Sequence, residues 1–340
     1  MDLPRDRSSA LAHLSLMENI VAGGMVVAGI ALLGFGADLL VRGAVTLAQA
    51  FKVSAAVIGL TIVSMGTSLP ELTVGVAAAL RGSPDLTMGN VVGSNIFNIG
   101  IVLGVSALIF PMRVHSSAVK LEWPFLFVAS FLLLLLARDG MLDRLEGGFF
   151  VIAVALFTVY AVIIGREAVG LEEKADLSEQ VRELSLAPGA RTIGIALGLV
   201  ALGVVVLLSG GELLVRGAIS LARAFGMTER LIGLTVVAAG TGAPEVATSV
   251  VAARKGQSEI ALGNVIGSNI FNILGILGAA ALITPLAIAP AILSSDLWWM
   301  IGITLVLLPM MWTKRVVSRL QGGLLVLIYG TYVTLLALGK

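Results

Sequence analysis

The chain has 340 residues, of which 58% are hydrophobic and only 13% charged, with a net charge of +1 and a mean hydropathy of +1.03. Soluble chains run near a quarter charged, so this composition excludes an ordinary globular protein, and the balanced charge removes any electrostatic case for nucleic acid. Cys is absent, and the two His, His13 and His115, lie outside the apolar runs, which excludes a disulfide framework, a thiol nucleophile and the usual Zn site. A transporter, a channel or an enzyme buried in the bilayer remains.

In chain order, residues Met1 to Glu18 mix Arg5 and Arg7 with Asp2, Asp6 and Glu18. They do not resemble a cleavable signal peptide and read as a polar or interfacial tail over 1–20. The apolar runs that follow have the roughly 20-residue length a helix needs to cross about 30 Å of hydrocarbon, not the short alternation of a membrane β-barrel. Breaks at charge clusters and Gly/Pro punctuation predict ten spans: 21–50, 54–80, 85–110, 122–137, 146–165, 192–223, 228–253, 259–284, 297–312 and 321–338. The first and sixth exceed a bilayer and must tilt or protrude. Trp298, Trp299 and Trp312 bracket the ninth as an interfacial belt. Between the fifth and sixth spans, Arg166 to Ala190 carries six acidic and three basic residues, too short for a folded domain. It reads as a solvated linker over 166–191, or a surface helix with Leu177, Val181 and Leu184 on one face.

A shift of 174 residues superimposes the halves 21–165 and 192–340 without gaps. Gly36 to Ala44 (GADLLVRGA) matches Gly210 to Ala218 (GGELLVRGA) at seven of nine positions. Gly59 to Glu71 (GLTIVSMGTSLPE) overlays Gly233 to Glu245 (GLTVVAAGTGAPE), and Gly89 to Asn98 (GNVVGSNIFN) matches Gly263 to Asn272 (GNVIGSNIFN) at nine of ten. Five spans per copy is an odd number, so the copies enter the membrane in opposite senses. The predicted fold is all-α: two inverted five-helix repeats sharing a midplane site. Lys and Arg outside the spans are more numerous on the side opposite the termini, which places both termini outside the cell.

Most of the 21 acidic residues fall in loops or near span ends, but Glu71 and Glu245 lie well inside the second and seventh spans. Intramembrane carboxylates are costly unless paired or solvated, which makes them functional candidates. Each follows a Pro, and Pro70 and Pro244 leave the carbonyls of Gly66 and Gly240 without their helical partners, so both spans are expected to break at mid-depth. Thr67 precedes Glu71 by four residues and Thr241 precedes Glu245 by four, so hydroxyl and carboxylate share a helical face. Ser94 with Asn98, and Ser268 with Asn272, repeat that spacing. Pro, Gly, Ser and Thr are also common as packing and kinking residues in membrane helices, but a set matched in both copies points to function. Asp38 with Arg42, and Glu212 with Arg216, form i,i+4 pairs near span ends and read as snorkelling ion pairs, with a role in gating as the alternative. Oxygen donors without nitrogen or sulfur suit Ca²⁺, which takes 6 to 8 oxygens at roughly 2.3–2.6 Å, and, shared differently, Na⁺.

At these residues the sequence resembles the cation/calcium exchanger superfamily, and within it the prokaryotic Na⁺/Ca²⁺ exchangers: GTSLPE…GNVVGSNIFN and GTGAPE…GNVIGSNIFN are similar to its two α-repeats. The resemblance implies a core of spans 2, 3, 7 and 8 with spans 1 and 6 sliding across it. It also implies Ca²⁺ extrusion across the inner membrane of a cell, driven by several Na⁺ per Ca²⁺. By motif position it implies ligands at Thr67, Ser68, Glu71, Ser94, Asn98, Thr241, Glu245 and Ser268, with the backbone carbonyls of Ser64 and Ala238. Two positions depart from the pattern. Gly242 stands where Ser is usual, so a hydroxyl is missing and Gly242→Ser should lower the Na⁺ requirement, unless the glycine serves backbone flexibility at the break. Asn272 stands where some members have Asp, which argues against K⁺ cotransport.

Ca²⁺ and Na⁺ are then substrates in a lipid bilayer, with no resident cofactor and no obligatory protein partner. The nearest rival is a H⁺/Ca²⁺ antiporter, which needs only the carboxylates and not the surrounding Thr, Ser and Asn oxygens. A channel would need a continuous pore. An enzyme is disfavoured because no nucleophile and base pair is readable.

Overall fold

A computed structural model describes residues 5–82, 84–167, 190–227 and 238–338. The tail is helical from Arg5 onward, as the start of α1 (Arg5–Phe51). The 166–191 linker lies almost wholly outside the described residues, as does the beginning of the seventh predicted span. The helices that follow α1 are α2 (Ala55–Thr67), α3 (Leu69–Leu80), α4 (Pro84–Ile109), α5 (Ala118–Asp139), α6 (Arg144–Glu167), α7 (Ala190–Ala224), α8 (Ala238–Thr241), α9 (Ala243–Arg254), α10 (Ser258–Ile283), α11 (Ile292–Trp312) and α12 (Arg319–Ala337). Among the described residues eight helices are long and apolar enough to cross a membrane, or nine when α2 and α3, bent by 49° at Ser68, count as one span.

Two helices make the centre. In α4 and α10, 67% and 72% of the most apolar stretch is buried inside the protein, against 28% and 22% in α1 and α7. Buried amides at their crossing satisfy one another. Asn95 Nδ2 donates to the carbonyl of Asn269 (3.2 Å), and Asn269 Nδ2 donates to the carbonyl of Asn95 (3.3 Å). Such reciprocal bonds fix the crossing point in a medium with no water to substitute for a lost partner. Helix α2 lies on α10 almost backbone to backbone: a Cβ built on Gly263 would stand 2.7 Å from the Ala56 carbonyl oxygen, and one on Gly267 2.4 Å from that of Leu60. At the start of α2, Glu259 accepts from the Ala56 N–H (3.2 Å) and pairs with His115 (2.7 Å).

Helices α1 and α7 run antiparallel along a seam of glycines spaced seven apart. A Cβ on Gly29 would meet the Leu214 nitrogen at 2.7 Å, on Gly36 the Leu207 nitrogen at 2.8 Å, on Gly43 the Ala196 carbonyl at 2.8 Å; Gly203, Gly210 and Gly217 face α1 in the same way. Backbones can come this close only where side chains are missing. Two short strand pairs join loops of the two halves: β1 (Met112–Arg113) with β4 (Val316–Val317), and β2 (Met141–Leu142) with β3 (Leu286–Ala287). The charge-poor sequence contains no hint of these pairs. Of the three belt Trp, Trp298 and Trp312 are exposed, whereas Trp299 is half-buried beside Tyr332; the fourth Trp, Trp123, is buried and donates to the Thr304 carbonyl at 2.7 Å.

Candidate cation site

Both chain breaks have the same backbone. Ser68, between α2 and α3, has φ −82° and ψ 10°, and Gly242, between α8 and α9, has φ −84° and ψ 3°. The helix after each break begins with a Pro in its first turn, where a missing N–H costs nothing. The first regular bonds of those turns are equivalent: Leu72 N–H to the Ser68 carbonyl (3.0 Å) and Val246 N–H to the Gly242 carbonyl (3.1 Å). The breaks put Glu71 and Glu245 at the N-terminal ends of α3 and α9, each only 1% exposed, where unpaired N–H groups favour negative charge.

Six buried side-chain oxygens among the described residues have no hydrogen-bond partner, Ser106 Oγ, Thr248 Oγ1 and four that stand in the duplicated motifs. Glu71 Oε2, Glu245 Oε2, Ser268 Oγ and Asn272 Oδ1 make no hydrogen bond, although a buried polar atom left unpaired typically costs about 1–3 kcal/mol. These four come from both halves of the chain. Ser68 Oγ donates to Glu245 Oε1 (3.4 Å), so the hydroxyl of one half contacts the carboxylate of the other. Thr67, fully buried, is within hydrogen-bonding distance of Asn264 Oδ1 (3.1 Å) and the Ser64 carbonyl (3.3 Å). That carbonyl also accepts the Ser68 N–H (3.0 Å) and so has a role inside its own helix. Thr241 and Ser94 are half-buried, and Ala238 is the first residue of α8.

Asn98 and Asn272 sit on wide, π-type turns, 98–103 and 271–276, an irregularity that loosens the helical ladder and is frequent at functional sites. Their amides are aimed by a pair of residues that the motif reading passed over: Asn98 Nδ2 donates to Asn269 Oδ1 (3.0 Å) and Asn272 Nδ2 to Asn95 Oδ1 (3.1 Å). With the nitrogen committed in this way, the Asn272 oxygen is left as an acceptor. Asn264 is held similarly, its Nδ2 donating to Ser249 Oγ (3.0 Å). Asn95, Asn269 and Asn264 all lie within the duplicated GNVVGSNIFN and GNVIGSNIFN segments, so the duplication itself was the signal for them.

The glycine at 242 needs a correction. Its φ of −84° is ordinary for any L-residue, so this backbone conformation does not itself require a glycine. A Cβ at this position would stand 2.3 Å from Phe97 Cε1, and a serine therefore cannot simply be added. The pairs Asp38–Arg42 (2.7 Å) and Glu212–Arg216 (2.6 Å) form as expected. Asp38 additionally pairs with Lys255, which ties α1 to the end of α9.

This set is rich in buried acceptor oxygens, two of them from carboxylates. Comparisons with known proteins give the family. The family model described as "Sodium/calcium exchanger protein" matches residues 21–163 and 195–338, one match for each half. CaxA of Alkalimonas amylolytica is 41% identical over 320 residues, covering 93% of this chain and 99% of that protein. The sodium/calcium exchanger MaX1 of Methanosarcina acetivorans is 33% identical over 339 residues, covering 91% and 96%. A solved structure of the sodium-calcium exchanger NCX_Mj, soaked with Na⁺ and Ca²⁺, superimposes with a TM-score of 0.78 at 30% identity, covering 93% of this chain and 98% of that one. The chain is a multi-pass membrane protein of the sodium/calcium exchanger family.

Proposed function

We propose that this protein is a secondary active antiporter that exchanges Na⁺ for Ca²⁺ by alternating access and extrudes Ca²⁺ from the cell across its inner membrane. The observation that carries the reading is the set of four buried, donorless oxygens, Glu71 Oε2, Glu245 Oε2, Ser268 Oγ and Asn272 Oδ1, drawn from both halves, with the Ser68 hydroxyl of one half on the Glu245 carboxylate of the other. Two carboxylates balance one Ca²⁺, and neutral oxygens complete the 6 to 8 contacts it prefers. The same oxygens divided among smaller sites suit Na⁺. Without a cation the two carboxylates would face low dielectric uncompensated, which disfavours crossing with an empty site and so couples one ion's movement to the other's.

In this reading the chain forms ten spans as two inverted repeats, 21–165 and 192–340, with breaks at Ser68 and Gly242. Both termini lie outside the cell, the 166–191 linker lies in the cytoplasm, and the tail over 1–20 precedes the first span. Ser64, Thr67, Ser68, Glu71, Ser94, Asn98, Ala238, Thr241, Glu245, Ser268 and Asn272 surround the ions. The test is ⁴⁵Ca²⁺ uptake into proteoliposomes. Na⁺ loaded inside should drive Ca²⁺ in against zero external Na⁺. Equal uptake driven by a pH gradient with no Na⁺ present would replace this reading by H⁺/Ca²⁺ antiport, and flux that continues with no counter-ion would mean a channel.

A further inference from the structure

Ser68 and Gly242 occupy the same place in the two repeats with the same backbone, yet only one carries a hydroxyl. The reason lies on the helices that face them. Phe97 on α4 corresponds to Phe271 on α10, and four residues further along stand Ile101 and Gly275 respectively. On α10 the Phe271 ring folds back over its own helix: a Cβ on Gly275 would stand 2.7 Å from Phe271 Cδ2 and 2.8 Å from Cε2. On α4 the position equivalent to Gly275 carries the branched side chain of Ile101. The Phe97 ring instead stands across the helix boundary against Gly242, where an added Cβ would be 2.3 Å from its Cε1 and 2.7 Å from its Cδ1. It is 7% exposed, and Tyr329 holds it edge-on at a centroid distance of 5.6 Å. Phe97 and Ile101 both line an apolar cleft of about 670 Å³, together with Ile30, Leu33 and Ala243.

We infer that Phe97, Ile101 and Gly242 act as one specificity-determining unit, in which the ring takes the space of a serine side chain and removes one neutral oxygen from the second repeat's half of the site. Rotamer physics links the three, because a side chain at i+4 decides whether an aromatic ring can lie back along its helix. The consequence is selective. Ca²⁺ draws chiefly on Glu71 and Glu245, whereas each Na⁺ relies on neutral oxygens, so the unit weakens Na⁺ binding and lowers the number of Na⁺ that act together while leaving Ca²⁺ nearly untouched. This inference rests on the Na⁺/Ca²⁺ reading above.

The test uses the full chain in three forms, Gly242→Ser, Ile101→Gly/Gly242→Ser and Phe97→Ala/Gly242→Ser, each read two ways. Melting temperature and monodispersity in detergent report the steric relation without reference to transport. Gly242→Ser alone should melt several degrees below the parent, and Ile101→Gly/Gly242→Ser should recover at least half of that loss. In proteoliposomes the recovered form should reach half-maximal exchange at a Na⁺ concentration threefold or more below the parent's, with a steeper Na⁺ dependence, while the Ca²⁺ half-maximum stays within twofold. The inference is overturned if Gly242→Ser alone is as stable as the parent, if neither double variant regains stability, or if the recovered form shifts both ions equally or neither. A parent whose Ca²⁺ flux ignores Na⁺ would instead overturn the antiport reading, and with it the Na⁺ half of this one, while the melting temperatures still decide whether the ring excludes the serine.

Discussion

In the second repeat, Asn264 and Ser268 are completely buried and Gly263 and Gly267 press against α2; at the corresponding places in the first repeat, Gly89 is exposed and Asn90 and Ser94 are half-buried. Thr67 is fully buried while its counterpart Thr241 is not. The segments that carry these residues are nearly identical, so their composition cannot be the cause of the difference. Among the described residues the second copy is packed against α2, whereas the first copy has no described counterpart of that helix upon it, most of the corresponding stretch (228–237) lying outside the described residues. The Phe97, Ile101 and Gly242 unit is another kind of asymmetry, written in the sequence and present whichever way the protein faces.

The largest expected effect tests what the repeats share. Glu71→Gln and Glu245→Gln keep the shape of the side chain but remove one of the two charges that balance Ca²⁺ in the proposed reading. Each should reduce Na⁺-dependent ⁴⁵Ca²⁺ flux at least a hundredfold while the protein stays monodisperse. A variant that keeps near-normal flux would show that its repeat does not contribute a central ligand.

Next come the amides that aim the ligands. Asn95→Ala removes the acceptor that holds Asn272, and Asn269→Ala removes the acceptor that holds Asn98, leaving a buried donor unpaired at a cost of about 1–3 kcal/mol. Both should lower the melting temperature by similar amounts. Asn95→Ala should also weaken Ca²⁺ about tenfold, because Asn272 is the amide whose oxygen has no other partner. Equal Ca²⁺ affinities in the two variants would mean that the crossing only supports the fold.

A third pair examines the α1–α7 seam from either side. Gly36→Leu and Gly210→Leu place branched side chains where a Cβ alone already meets backbone atoms at 2.8 to 3.0 Å, and overpacking of this kind typically costs about 1–3 kcal/mol or more. Comparable losses of thermal stability and exchange are expected, measured as melting temperature and initial rate. Full activity in either variant would show that the seam is looser than described.

The smallest effect should come from the ion pairs. Asp38 binds both Arg42 and Lys255, whereas Glu212 has Arg216 as its one ion-pair partner among the described residues. Exposed pairs contribute little, so Lys255→Ala should change the exchange rate about threefold or less, and only at low ionic strength. Glu212→Gln should change it less still. A loss that persists at high salt would mean that Lys255 does more than pin α1 to α9.

Much of this was legible beforehand because polarity inside a membrane is rare. Two carboxylates preceded by Pro, repeated at a fixed offset, stand out against an apolar background, and the oxygens four residues away share their face by helical geometry alone. What stayed hidden depends on contacts between residues distant in the chain. Asn95 and Asn269 read equally well as packing amides, and only the structure shows each holding the motif asparagine of the other repeat. Gly242 read as a missing hydroxyl or a flexible joint, and only the position of Phe97, 145 residues earlier in the chain, shows that the space is already filled. The Lys255 contact with Asp38 was hidden in the same way, since an i,i+4 partner at Arg42 seemed to account for that charge.

The glycine seam has a bearing on leak. Because α1 and α7 touch through their backbones along three successive heptads, either helix moving alone would open a gap that no side chain is present to fill. Each loses its closest contacts unless the other follows. In the antiport reading proposed above, in which these two helices slide across the core, they would therefore move as one body, and a passage open at both ends would require the seam to part.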